Sequence, residues 1–157
     1  MIVAGIVVAT VPCQAPLTTI APQLLQDLPA YANRSIPLRA DQQLPGSVLT
    51  AGQLDLNSLP LPLGSPPPSQ TQQLFFTTLE RSFLGQQSSL AQGFHWLFVT
   101  PSDRGWQFVS LYSQWGPYPL ADRPITPPQE SSGGRIGQAV QAWLRDCRAN
   151  FLSSGLL

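Results

Sequence analysis

Apolar and polar residues alternate most regularly between residues 73 and 115, and this period of two predicts three successive β-strands. In the first, Leu74, Phe76 and Thr78 fall on one side, and Phe75, Thr77, Leu79 and Phe83 on the other. The polar stretch 85–89 (GQQSS) reads as the turn that follows. In the second strand, Phe94, Trp96 and Phe98 alternate with His95, Leu97 and Val99. Apolar residues on both sides predict a central strand covered on both faces. The stretch 101–105 (PSDRG) reads as a hairpin turn closing on Gly105. In the third strand, Trp106, Phe108, Ser110 and Tyr112 are expected to share one side, with Gln107, Val109 and Leu111 on the other.

On either side of this meander the period becomes helical. Ile20, Leu24, Leu25 and Leu28 predict a helix over 18–33, with Thr18 or Thr19 as N-cap and Pro22 in its first turn. Pro29 should kink or interrupt it, because proline removes a backbone donor and crowds the preceding turn. Ile136, Ala139, Val140, Trp143, Leu144 and Cys147 form the stripe of a second helix, with Gln138, Gln141, Arg145 and Arg148 mostly opposite. Arg145 and Arg148 lie near its C-terminus, where the helix dipole favours cations. Between the first helix and the meander, Val48, Leu49 and Thr50, then Leu54 and Leu56 around Asp55, supply one more strand.

Proline shapes the connections. Residues 59–69 (LPLPLGSPPPS) cannot form a central strand and read as a stiff extended loop, the larger part of a Pro-rich stretch over 57–70. Residues 116–134 form a second such loop. The expected fold is α+β: an antiparallel sheet of about four strands, with the three-strand meander at its centre, flanked by an N-terminal and a C-terminal helix. Residues 16–157 form a single domain in this reading, and residues 1–15 an apolar segment set apart from it.

Composition narrows the chemistry. A chain of 157 residues suffices for one domain with a modest core. Only 10% of residues are charged, and eight arginines balance eight acids, so no net field attracts nucleic acid. The absence of lysine excludes a Schiff-base or P-loop lysine. His95, the one histidine, is the only ordinary acid or base near neutral pH. Its place between Phe94 and Trp96 reads as structural rather than catalytic. The adjacent pairs Glu80-Arg81, Asp122-Arg123 and Arg145-Asp146 read as solvated surface charges. No catalytic residue, metal site or cofactor is expected.

Cys13 and Cys147 are too few for a structural zinc site with one histidine. They read either as a disulfide pinning the N-terminus to the last helix of an exported protein, or as free thiols with Cys147 a small buried hydrophobe. The apolar run 1–15 has three readings. It is the hydrophobic part of a secretory signal with Ala15 at the cleavage edge, or a lipoprotein signal acylated at Cys13, or a strand docked on the core. It is too short to span a bilayer as a helix, so membrane association would be peripheral or through a lipid anchor. In the second Pro-rich loop, Tyr118, Arg123, Pro127, Pro128 and Glu130 are candidates for contact with a protein partner.

The segments DLPAYANR (27–34), QLFFTTLERSF (73–83), FHWLFVTPSDRGWQFVSLYSQWGPYP (94–119), RPITPPQESSGG (123–134) and AVQAWLRDCRA (139–149) resemble a family of uncharacterised, exported cyanobacterial proteins. The resemblance covers about two thirds of the chain, and implies a photosynthetic bacterial host and export. It brings no functional residues with it. The expected function is therefore non-catalytic binding or scaffolding in the periplasm or thylakoid lumen, with a cytoplasmic location as the alternative. Two other classes compete: a small hydrolase using His95 with a carboxylate, and a carrier of a small apolar ligand in a cavity between sheet and helix lined by some of Trp96, Phe98, Trp106 and Trp143.

Overall fold

A computed structural model of the chain describes residues 12–34, 46–57, 70–119 and 125–149. In chain order the elements are α1 (Leu17–Asn33), β1 (Ser47–Asp55), β2 (Gln72–Leu84), β3 (Gln87–Ser102), β4 (Gly105–Pro117), β5 (Gln129–Glu130) and α2 (Arg135–Arg148). The strands form one antiparallel sheet in the order β1-β2-β3-β4-β5. The α+β architecture is as expected, with five strands in place of about four. The additional strand spans two residues, too few to carry an alternation.

The β2–β3 hairpin is tighter than the polar composition of 85–89 predicts. Leu84 pairs with Gln87, so the turn is only Gly85 and Gln86, and Ser88 and Ser89 belong to β3. Gly85 sits at φ +63°, where a two-residue hairpin loop needs a left-handed first residue. The register then places Phe76, His95 and Ser113 side by side across β2, β3 and β4.

A register shift between Phe98 and Val99 corrects the expected alternation of β4. Phe98 pairs with Ser110 and Val99 with Phe108, leaving Val109 as an extra residue. Beyond that bulge the two sides exchange. Trp106 and Phe108 face the same side as Leu111 and Ser113, whereas Ser110 and Tyr112 face the other.

Both helices pack on the face that carries Leu74, Phe76, Leu97, Val99 and Leu111. The stripe of α2 is buried as expected, from Ile136 through Trp143 to Cys147. The opposite face holds Phe75 against Trp96, with ring centroids 5.2 Å apart, and Phe98 against Tyr112 at 6.2 Å. β3 is central, but its two faces differ: one lies under the helices, the other under aromatic neighbours of the sheet itself.

Helix α1 corrects the expected Thr18 or Thr19 cap and the expected break at Pro29. It starts after Pro16 with no side-chain cap, and it runs without interruption through both Pro22 and Pro29. Seven residues buried along its length, including Ile20, Leu24 and Leu28, hold it helical against the lost backbone bonds. Two bonds tie it to α2: the Trp143 indole N–H donates to Asp27 at 2.9 Å, and the Tyr31 hydroxyl to Asp146 at 2.6 Å. Burial and that carboxylate push the Tyr31 hydroxyl up to about 12. Asp146 is thus part of the helix interface and not a freely solvated charge.

The start of the described chain is fastened at three points. Cys13 and Cys147 form a disulfide, with Cα atoms 5.3 Å apart. The Trp106 indole N–H donates to the Ala15 carbonyl at 2.9 Å, and the Gln14 amide to the Asp103 carbonyl at 2.6 Å. Cleavage after Ala15 would remove this bond, and acylation of Cys13 would consume its sulfur. Residues 1–11 and the Pro-rich segment 58–69 lie outside the described residues.

The sheet's outer edge is closed by a side chain. Asn33, the last residue of α1, donates to the Val48 carbonyl at 2.8 Å and accepts from the Val48 N–H at 2.9 Å. An amide side chain therefore stands where another strand would pair.

Candidate functional site

A cleft of about 420 Å³ opens on the helix side of the sheet, between the C-terminal parts of β2 and β4 and the first turn of α2. Glu80 reaches it from β2, Ser113 and Trp115 from β4, and Ser131, Gly134 and Arg135 from the approach to α2. Strand alternation explains Glu80. It continues the series Leu74, Phe76, Thr78 and so faces the helix side, while Arg81 points to the exposed side. Expecting Glu80-Arg81 to be a surface pair was wrong for this reason: neighbours on a strand do not share a face.

The segment 126–132 lies along β4 and positions the serines. The Thr126 N–H donates to the Trp115 carbonyl at 2.9 Å, and the Trp115 N–H to the Thr126 hydroxyl at 2.8 Å. Further along, the Ser131 N–H donates to the Leu111 carbonyl at 2.8 Å, and the Leu111 N–H to the Ser132 hydroxyl at 3.0 Å. The chain then enters α2 through Gly134, which offers no capping side chain to the first N–H groups of the helix.

Behind the cleft runs a chain of hydroxyls ending on the histidine. Ser131 Oγ lies 2.6 Å from Ser113 Oγ, which lies 2.7 Å from His95 Nδ1, and His95 Nε2 lies 2.8 Å from Thr78 Oγ1. His95 is fully buried, stacked on Phe76 and edge-on to Trp115. Burial drives its pKa down to about 3, so the ring is neutral across the physiological range. Gly93 makes this packing feasible: a Cβ there would stand 2.5 Å from His95 Nε2, 2.6 Å from Thr78 Oγ1 and 2.8 Å from Trp115 Cζ3.

Glu80 is the second perturbed group. Burial, working against the Arg135 guanidinium, pushes its carboxyl up from 4.5 to about 7. The cleft thus presents a carboxyl poised near neutrality, a guanidinium, hydroxyls and an indole.

The hydrolase expectation meets an obstacle, and the carrier expectation is narrowed to two of its four aromatics. The hydrolase required His95 within reach of a carboxylate, but its two nitrogens face Thr78 and Ser113. The carrier called for a cavity between sheet and helix lined by some of Trp96, Phe98, Trp106 and Trp143. Trp106 and Trp143 lie on the helix side, whereas Trp96 and Phe98 lie on the opposite face with Phe75 and Tyr112. Among the described residues, no three His, Cys, Asp or Glu side chains gather as metal ligands would.

The residues expected to meet a partner are only partly brought together. Tyr118 is 48% exposed, and Ile125, which the sequence reading did not single out, is 41% exposed. Pro127, Pro128 and Glu130 are exposed as well, and Glu130 is turned back to accept from the Ser132 N–H at 2.9 Å. Arg123 lies outside the described residues. The cleft residues Glu80, Ser113, Trp115, Ser131 and Arg135 were not foreseen. The alternation of β2 could have yielded Glu80, but the others converge only through cross-strand register.

Comparison with family models, with curated proteins and with solved structures finds no match for this chain.

Proposed function

We propose that this protein is a non-catalytic binding module of an exported bacterial compartment, the periplasm or thylakoid lumen, and that it takes its ligand in the cleft at the start of α2. The observation that carries the reading is the convergence of Glu80, Arg135, Ser113, Ser131 and Trp115 in one concavity of a chain with only 10% charged residues. Small-ligand sites have this form: a few placed polar groups in a pocket with an aromatic wall. His95 supports binding over catalysis, since both its nitrogens are engaged inside the protein and burial holds it neutral. The Cys13–Cys147 bond supports an oxidising compartment. The resemblance to exported cyanobacterial proteins agrees with that location. None of the described helices is long and apolar enough to cross a membrane.

Location is tested by fractionating cells that express the tagged full chain and alkylating thiols before lysis. Recovery in the periplasmic or lumenal fraction with both cysteines protected until reduction is expected. A cytosolic chain with two reactive thiols would refute export. Binding is tested by thermal shift of the oxidised protein over a library of small polar compounds. Stabilisation that disappears in Arg135→Ala is expected, and stabilisation indifferent to that change would place the site elsewhere.

A second reading rests on the exposed Tyr118 and Ile125, which with Pro127 and Pro128 give the second loop an apolar surface. A protein partner docked there would leave the cleft free, and Tyr118→Ser would then abolish its capture while Arg135→Ala would not.

A further inference from the structure

We propose that the cleft is a carbohydrate subsite, receiving one ring of a neutral polyhydroxylated ligand with Trp115 as its wall and Glu80, Arg135 and Ser131 as its hydrogen-bonding groups. This rests on the reading of the cleft as the binding site and names the class of ligand.

Charge disfavours the simpler ligands first. An anion would gain from Arg135 and the uncapped start of α2, but only with the Glu80 carboxyl protonated beside it. An ammonium would gain from Glu80 and be opposed by Arg135. Near neutral pH Glu80 is partly ionised and offsets Arg135 in part, so the pair leaves the cleft weakly charged while supplying both acceptors and donors within it. A neutral ligand whose groups both donate and accept uses all of them, and alcohol hydroxyls have that property.

The buried relay makes the same selection. When the His95 proton sits on Nδ1, it is donated to Ser113, Ser113 donates to Ser131, and the Ser131 hydroxyl donates to the Leu111 carbonyl at 3.3 Å or turns to a ligand, that carbonyl still accepting from the Ser131 N–H. When the proton sits on Nε2 and is donated to Thr78, the direction reverses. Ser131 then donates to Ser113, Ser113 to Nδ1, and Ser131 presents only lone pairs to the cleft. Ser131 can therefore meet a ligand hydroxyl in either orientation, with no buried group losing its partner. A ligand of fixed polarity would leave that freedom unused.

Shape agrees. Trp115 is held in place by the space above Gly93 and by the edge of His95, so its indole is a fixed wall and not a mobile surface side chain. A volume of about 420 Å³ lies toward the small end of ligand pockets, which run from about 300 to 1,000 Å³. That suits a sugar ring and its substituents.

The test is an NMR titration of the oxidised, ¹⁵N-labelled full chain with glucose, N-acetylglucosamine and cellobiose, and in parallel with inorganic phosphate and acetate. At least one sugar is expected to move the indole N–H of Trp115 and the amides of Ser131, Gly134 and Arg135 saturably. Arg135→Ala, at an exposed position in the first turn of α2, should weaken that binding about tenfold. Phosphate or acetate moving these signals while the sugars do not would overturn the carbohydrate assignment and leave the cleft as a binding site. Sugars moving only signals on the other face of the sheet would also overturn it. No response to any of the five probes would overturn both.

Discussion

Replacing Glu80 by Gln removes one ionisable group from the cleft and tests its energetics directly. In the folded chain burial raises this carboxyl from 4.5 to about 7, so between those pH values the folded state holds a proton that the unfolded chain has released. Folding stability must therefore fall as pH rises through that window and stay reduced above it. Gln fills the same space without titrating. At pH 8 the variant should be more stable than the parent, with on the order of 3 kcal/mol as the ceiling at 1.36 kcal/mol per pKa unit. Partial access of the carboxylate to water reduces this to about 1–2 kcal/mol. At pH 4.5 the two proteins should be nearly equal. His95 works in the opposite sense: its lowered pKa gives stability that is present above 6.5 and lost as pH falls toward 3. Because both proteins carry His95, the difference between them isolates Glu80. Urea unfolding of the oxidised proteins at half-unit intervals from pH 4.5 to 8.5 measures it. At about 2 kcal/mol per molar, the midpoints should separate by about 0.5–1 M at the alkaline end and converge at the acid end. Parallel curves, or a less stable variant at pH 8, would refute the placement of Glu80.

Three further outcomes follow from the packing. Replacing both cysteines by Ser should cost up to about 5 kcal/mol, the chain-entropy value for a link across 134 positions, measured by urea unfolding against the oxidised parent. Gly93→Ala should cost about 2–3 kcal/mol and alter the near-ultraviolet circular dichroism of Trp115, because the added methyl meets His95, Thr78 and Trp115 together. Asn33→Ala should cost about 1–3 kcal/mol by leaving both Val48 backbone groups without a partner. It should also raise the concentration dependence of sedimentation, since the edge of β1 is then open to pairing.

The parts of this fold that a period can encode were legible in the sequence. The meander from Leu74 to Tyr112 and the stripe from Ile136 to Cys147 each bury one side, and each was placed on that basis. What was missed depends on pairing between distant residues. The bulge at Val109 exchanges the faces of β4 without any local mark, because Trp106, Phe108, Ser110 and Tyr112 alternate smoothly in the chain. The continuity of α1 through Pro29 is decided by burial against α2 and the sheet, which outweighs local preference. The site was least legible. Ser113 and Ser131 have no pattern of their own and acquire meaning only beside His95. Glu80 was the exception: the alternation that places Phe76 in the core also turns Glu80 inward.

The bond between Cys13 and Cys147 also alters what a break in the backbone would mean. It joins positions near the two ends of the described chain, so every strand and nearly all of both helices lie within one covalent ring. A protease that cuts a connection inside that ring opens it without making two molecules. The nicked protein keeps its mass, apart from one added water, until the disulfide is reduced, and its pieces stay at high effective concentration. In a compartment rich in proteases and poor in reductant, loss of the protein would require a cut and a reduction, or two cuts, where a linear chain requires one.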